Sequence, residues 1–218
     1  MKFKTFIVSL GAVFFLFNAA DAGIVVGLDF KGGLNVANMY GDDVSDDVSI
    51  KLGAAVGTGV GIKIGMFAIQ PEVLFSMKGA KEEGEIVIVD STFNYEIVVK
   101  LSYLEIPILL KINIPADAVI PNFYVGPALA FCMVAKDKLT FNNEEGDEED
   151  IKDVIKSVDF GLSMGGGLDI KAGHGRVIID IRYTLGFVTV NDQEDEDIVV
   201  KNSVLSFILG YGIDFDGK

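Results

Sequence analysis

Apolar and polar residues alternate one for one over long stretches of this chain, the period of a strand that turns one face to each of two environments. From Ile24 to Val36 the even positions Ile24, Val26, Leu28, Phe30, Leu34 and Val36 are apolar, while the odd ones include Gly27, Asp29, Lys31, Gly33 and Asn35. Between Ile50 and Ile64, Ile50, Leu52, Val56, Val60, Ile62 and Ile64 stand against Lys51, Gly53, Gly57, Gly59, Gly61 and Lys63. A third segment sets Phe67, Ile69, Val73, Phe75 and Met77 against Gln70, Glu72, Ser76 and Lys78. A fourth, over 100–112, sets Leu104, Ile106, Ile108, Leu110 and Ile112 against Glu105 and Lys111. In the fifth, Phe123, Val125, Leu129, Phe131 and Met133 oppose Tyr124, Gly126, Ala128, Ala130 and Cys132. The sixth places Phe160, Leu162, Met164, Leu168 and Ile170 opposite Asp159, Gly161, Ser163, Gly165, Gly167, Asp169 and Lys171. Val177, Ile179, Ile181, Tyr183, Leu185 and Phe187 alternate with Asp180, Arg182 and Thr184 in the seventh. The eighth pairs Leu205, Phe207, Leu209, Tyr211, Ile213 and Phe215 with Ser206, Gly210, Gly212 and Asp214. Eight such segments predict an all-β fold, an eight-stranded antiparallel up-and-down transmembrane β-barrel, with the even strand number of single-chain bacterial barrels.

The connections alternate in length as such barrels require. Short ones lie near Gly65, from Asn113 to Pro121 and at Ala172-Gly173-His174-Gly175, whereas long acidic ones cover 37–49, 79–96, 137–156 and 190–202. Short periplasmic turns and long external loops are the expected asymmetry. Alternation alone does not say which face points inward, and a soluble lipocalin-like barrel with a greasy cavity alternates too. An eight-stranded interior is only wide enough for side chains to fill, so the glycine-rich polar faces suit the inside and the Phe, Ile and Leu faces suit lipid. Phe67/Phe75, Phe123/Phe131 and Phe207/Phe215 each recur after eight residues. At about 3.3 Å per residue and about 40° of tilt this spans about 20 Å, near the height of an apolar band between aromatic girdles.

The inward faces then collect Lys31, Lys51, Lys63, Lys78, Lys111, Lys171 and Arg182 against Asp29, Glu72, Glu105, Asp159, Asp169, Asp180 and Asp214. Seven cations meet seven anions in a chain of net charge −14, which predicts a filled, charge-paired lumen with the excess acid left to the loops. Pro71, Pro107 and Pro127 fall inside the third, fourth and fifth segments at similar height. Proline has no N–H to give a ladder, so a layer of bulges or broken pairing is expected there.

Composition narrows the setting. Half the residues are hydrophobic and the mean hydropathy is +0.42, yet nothing after residue 22 offers about 18 uninterrupted apolar positions. A closed barrel is the remaining way to cross lipid. The first 22 residues carry Lys2 and Lys4, an apolar run from Phe6 to Phe17, and Ala20-Asp21-Ala22, the pattern of a cleaved signal peptide. Residues 1–22 are therefore expected to be removed, leaving a barrel domain over 23–218 that starts at Gly23. Taking Lys2, Lys4 and Asp21 from 18 basic and 32 acidic residues leaves 16 and 31, a net charge of −15. That balance argues against nucleic-acid binding, which needs a basic footprint. Cys132 is the only cysteine, so neither an internal disulfide nor a lipid anchor at the cleavage site is available.

Stretches 27–43 (GLDFKGGLNVANMYGDD), 69–81 (IQPEVLFSMKGAK), 103–112 (YLEIPILLKI), 123–131 (FYVGPALAF) and 159–170 (DFGLSMGGGLDI) resemble the PorT-like outer-membrane β-barrel family. The likeness runs over essentially the whole mature chain. Its most specific element is Gln70-Pro71-Glu72 with Ser76, Lys78 and Gly79, followed by Tyr103-Leu104-Glu105-Ile106-Pro107. The resemblance implies eight strands and the outer membrane of a Gram-negative bacterium. One founding member of that family is associated with protein secretion, and most members have no assigned activity, so the resemblance does not supply a function. The tail departs from the pattern: such barrels often end on an aromatic, whereas Asp216, Gly217 and Lys218 follow Phe215 here.

No residue set singles out catalysis. His174 is the only histidine and reads as a solvated turn residue, remote from Cys132, so neither a nucleophilic triad nor a zinc cluster is in view. No cofactor is expected. The acidic loop residues Asp42, Asp43, Asp46 and Asp47, Glu144 to Asp150, and Asp192 with Glu194 to Asp197 are oxygen-only sets that suit Ca²⁺ or Mg²⁺, without EF-hand spacing. The expected partners are outer-membrane lipid and, at the external loops, divalent cations or a protein, with the barrel itself monomeric. Two functions follow: a non-enzymatic structural or interaction barrel acting through its acidic loops, or a small transport pore or secretion-associated component.

Overall fold

The computed structural model describes residues 24–215 apart from 46, 89–90, 143 and 193–198. The expected signal segment, the tail after Phe215, and Asp46 and Glu194 to Asp197 lie outside the described residues. Ten strands follow one another: β1 (Ile24–Tyr40), β2 (Val48–Ser49), β3 (Lys51–Ile64), β4 (Phe67–Ile88), β5 (Ser91–Asn113), β6 (Val119–Phe141), β7 (Glu144–Asp150), β8 (Val158–Ala172), β9 (Gly175–Gly186) and β10 (Lys201–Phe215). A 3-10 turn, Lys152–Val154, precedes β8.

Eight of them close a ring in the order β1, β3, β4, β5, β6, β8, β9, β10, each antiparallel to its neighbours. β10 returns to β1 from Val26↔Phe215 to Tyr40↔Lys201. Closure leaves the ring without a free edge, so its backbone groups are satisfied without water. Phe67, Phe123, Leu209 and Leu34 point outward with 59, 61, 63 and 65 % of their surfaces exposed, while the charged positions of the same strands are buried inside. This is the reverse of a soluble barrel with an apolar cavity, and that reading is set aside.

The prolines interrupt the ladders without shifting register. Pairing between β3 and β4 stops at Gly59↔Glu72 and resumes at Ile62↔Ile69. Between β4 and β5 it stops at Pro71↔Ile108 and resumes at Leu74↔Glu105, and between β5 and β6 it stops at Pro107↔Ala128 and resumes at Leu110↔Val125. Because register is the same on both sides of each gap, these are broken pairs rather than bulges. β6 and β8 pair straight through Pro127↔Leu162.

The long connections 79–96 and 137–156 differ from the expected loops. β4, β5 and β6 run 22, 23 and 23 residues and keep pairing far beyond the ring. β2 adds to β4 at Val48↔Glu82, and β7 adds to β6 from Lys136↔Asp150 to Phe141↔Glu144. The result is a projecting sheet in the order β2, β4, β5, β6, β7.

Along this projection the polarity of the two faces is inverted. In β4 the outward positions change from Phe75 and Met77 to Lys81, Glu83 and Glu85, and in β5 apolar residues move from Leu104 and Ile106, facing out, to Phe93, Tyr95, Ile97 and Val99, facing the axis. β6 reaches the same outcome differently. Odd positions stay apolar apart from Asp137, but Tyr103 pairs with Cys132 while Ser102 pairs with Val134, so Met133 is an extra residue that turns every later side chain over. Leu139 and Phe141 thus face the axis, and Lys136 and Lys138 face out. At the junction on β4, Gly79 takes φ +124°, and a Cβ there would run into the Val99 carbonyl oxygen.

Candidate functional site

The lumen is built in three levels, each from residues two apart on neighbouring strands. At the short-turn end Arg176 lies between Asp29 and Asp214, bonded to both, with Asp169 3.4 Å from its Nε. Lys111 donates to Asp169 at 3.2 Å and Lys63 to Asp214 at 3.3 Å. In the middle Arg182 donates to Glu72 at 2.7 Å and to Asp180 at 3.3 Å, with its guanidinium over the Tyr124 ring, while Lys31 reaches Glu72 at 2.6 Å and Asp180 at 3.9 Å. Tyr124 donates to Asp180 at 2.5 Å. Nearer the long-loop end Lys78 meets Glu105 at 2.7 Å and lies over the Tyr103 ring, and Asn202 donates to Asp159 at 3.0 Å.

Small residues make room for this network. The Cβ positions of Gly212 and Gly27 are filled by the Arg176 guanidinium and its carboxylates, that of Gly59 by Glu72, and that of Gly165 by Tyr124. At these four positions glycine leaves space for a long polar side chain of the neighbouring strand. Desolvating so many ions is costly, and close pairing with further hydrogen bonds offsets the cost.

Most of the fourteen charges expected in the lumen come together here, with three differences. Asp159 is buried but accepts from Asn202 and is in no ion pair among the described residues. Lys171 is exposed at the end of β8, and its ladder partner Arg176 occupies the inward position at that level. Lys51 is half-buried and donates to the Lys78 carbonyl at 3.2 Å instead of to a carboxylate. Arg176 shares the parity of Asp180 and Arg182, but it stands next to the Gly-His-Gly turn, one residue before the apolar alternation that starts at Val177. Parity carried one step further would have found it.

Half of each stretch that carries the family resemblance faces the lumen. Gln70 donates to Glu72 at 2.7 Å, Ser76 accepts from Asn35 at 3.0 Å, and Lys78, Tyr103 and Glu105 form the level described above. Above them lies an apolar cluster on the β5–β6 side. Leu101, Tyr103, Ala130, Cys132 and Ala135 pack with Ile155, and Ile151 and Met39 lie against this cluster.

On the projecting sheet the outward face is a ladder of ion pairs. Lys81 binds Glu83 and Glu96, Lys100 and Lys136 share Glu148 at 2.5 and 3.1 Å, and Lys138 meets Glu145 at 2.5 Å. Hydrogen bonds from Lys100 and Lys136 hold the Glu148 carboxyl down at about 2, and Lys138 lowers Glu145 in the same way. The axis-facing side carries Ile86, Phe93, Tyr95, Leu139 and Phe141, with Phe93 and Phe141 stacked at 5.6 Å. His174 is exposed in its turn, and Cys132 is buried and free. Among the described residues no three of His, Cys, Asp and Glu converge as metal ligands, because the acids of β7 are strung along an extended strand.

Among solved structures the chain is similar to Ail, the attachment invasion locus protein of Yersinia pestis, at 13 % identity and TM-score 0.41, covering 87 % of this chain and 98 % of that one. Neisserial surface protein A matches at 13 % and 0.43 over 88 % and 97 %, and the N-terminal barrel domain of Pseudomonas aeruginosa OprF at 12 % and 0.38 over 88 % and 97 %. Comparison with curated proteins finds no match. The family described as outer membrane protein beta-barrel domain matches residues 19–191. That span takes in most of the chain, from before β1 to beyond β9, and with it the levels of the lumen: the chain belongs to this family of outer-membrane barrels.

Proposed function

We propose that this protein is a closed, non-conducting and non-enzymatic barrel that anchors an interaction surface at the outer membrane. The observation that carries the reading is the dryness of the lumen charges. Asp29, Glu72, Asp169 and Arg182 each leave no more than 1 % of their surface to water, whereas the lining of an aqueous conduit would be wetted. The apolar cluster around Ile155 at the long-loop end agrees with this reading. On this reading residues 1–22 are cleaved on export and the long-loop end faces outside, with the projecting sheet and its acidic segments as the working surface. Within the family the chain falls among the PorT-like members, whose resemblance is carried here in part by lumen residues and therefore speaks for a shared anchor rather than a shared partner.

The test is conductance of the purified protein in planar bilayers. No steady current is expected. Reproducible ion-selective channels would sink the anchor reading and favour a small transport pore.

A further inference from the structure

The projecting sheet separates charge as sharply as it separates polarity. Lys81, Lys100, Lys136 and Lys138 all lie on its outward face, each paired with a glutamate of that face. On the axis-facing side Glu82, Asp137, Glu144, Asp147 and Glu149 border the apolar residues, and among the described residues none of the five is in an ion pair. Ile86, Leu139 and Phe141 remain 42, 49 and 41 % exposed there. Beside Leu139 and Phe141, against β7, opens a groove of about 450 Å³, lined also by Asp137, Glu144, Glu145, Asp147 and Glu149. Asp137 adds a buried carboxylate oxygen, Oδ1, that has no hydrogen-bond partner.

We infer that this face docks a cationic amphipathic segment of a partner protein, its apolar side chains on Ile86, Leu139 and Phe141 and its lysines or arginines on the acidic border. The inference rests on the anchor reading and names the chemistry of its partner. An exposed apolar patch with a polar rim marks an interaction surface, and complementary charge selects who occupies it. A second copy of this chain would bring the same acidic border and a net charge of −14, and is disfavoured by like-charge repulsion. Anionic headgroups and nucleic acid meet the same repulsion. The stacked Phe93 and Phe141 rings are held in place before binding, so little ordering is required of this side of the interface.

The experiment uses the full chain in phosphatidylcholine nanodiscs and a fluorescein-labelled synthetic nonapeptide of alternating leucine and lysine. Peptides of alternating leucine and glutamate and of alternating serine and lysine serve as controls, with empty discs subtracted. The leucine-lysine peptide is expected to bind at least about tenfold tighter than either control, and more weakly as salt is raised. Leu139→Ser with Phe141→Ser should lower affinity by about tenfold, as should Glu144→Gln with Asp147→Asn and Glu149→Gln. The second set changes exposed side chains, so a folding defect in the first does not decide the outcome. Val87→Ser, on the opposite face, should stay within about twofold. Binding no stronger than to empty discs, equal binding of a control peptide, indifference to both sets of changes, or self-association through this face in sedimentation would each overturn the proposal. Conductance read on the same discs after fusion separates the two claims. Failed binding without current removes only the docking site, whereas steady current removes the anchor.

Discussion

β5 crosses two environments on one continuous backbone and answers them in opposite ways. From Leu104 to Ile112 its outward residues are apolar and its axis-facing ones include the buried Glu105 and Lys111; from Phe93 to Val99 the apolar residues face the axis, and Asn94, Glu96 and Lys100 face out. The strand is equally regular in both halves. What changes is the solvent on its outer side, and with it where ion pairs are strong. Inside the ring, charges reach one another with almost no water between them; on the projecting sheet, similar pairs such as Lys100–Glu148 leave about two fifths of each side chain wet. Exposed pairs of this kind are worth little individually. The lesson is that one sheet can carry two cores, a charged one within lipid and an apolar face above it.

The largest test of that contrast is Arg182→Ala. It leaves Lys31 as the one cation beside Glu72 and Asp180 in a dry interior, so that one carboxylate loses its compensating charge at a cost of roughly 3–5 kcal/mol. Unfolding of the reconstituted barrel in denaturant should shift accordingly, with conductance still absent. A change no larger than that of Lys136→Ala on the outer ladder would show that the two networks are equivalent and break the comparison.

A second test exchanges the outward faces. Val73→Lys, at a lipid-facing position of β4 that is 45 % exposed, should cost about 2–4 kcal/mol near the middle of the apolar band. Lys138→Val, also outward but on the projecting sheet, should leave barrel unfolding unchanged and remove only the pair with Glu145. Equal effects would mean that the boundary near Gly79 and Met133 is misplaced.

The smallest effect is one of pH. Glu148 titrates at about 2 in the folded chain against 4.5 unperturbed, so its contribution is complete above about 4.5 and is lost as pH falls from there to about 2. Protection of the β7 amides, taken relative to the intrinsic exchange rate at each pH, should fall over that window, and Glu148→Gln should reduce the fall to the part carried by the Lys138–Glu145 pair. Protection in β7 that is flat from pH 5 to about 2 would show that the ladder does not hold this edge.

The eight crossings, their direction and the side that meets lipid were legible from the chain alone, because period two converts position into facing and an eight-stranded ring has room inside only for what glycine leaves open. Parity likewise marked out Asp29, Lys31, Glu72, Asp180 and Arg182 as neighbours, since residues of one face on adjoining strands have nowhere else to point. The outer region was harder to read. Residues 93–99 alternate as cleanly as 104–112, but in opposite phase, and a phase change reads as the end of a strand unless the solvent is known to change as well. On β6 the phase does not change at all, and the facing of Leu139 and Phe141 hangs on one unpaired residue, Met133. A bulge is a property of two strands in register, so no single strand announces it. Which lysine meets which carboxylate was also decided only in three dimensions, because Arg176 with Asp29 and Arg182 with Glu72 are separated by 147 and 110 positions and depend on how the ring closes. Within the ring, sequence determined the facing of side chains, which is local; ion-pair partners and the inverted outer sheet came from register and closure, which belong to the whole barrel.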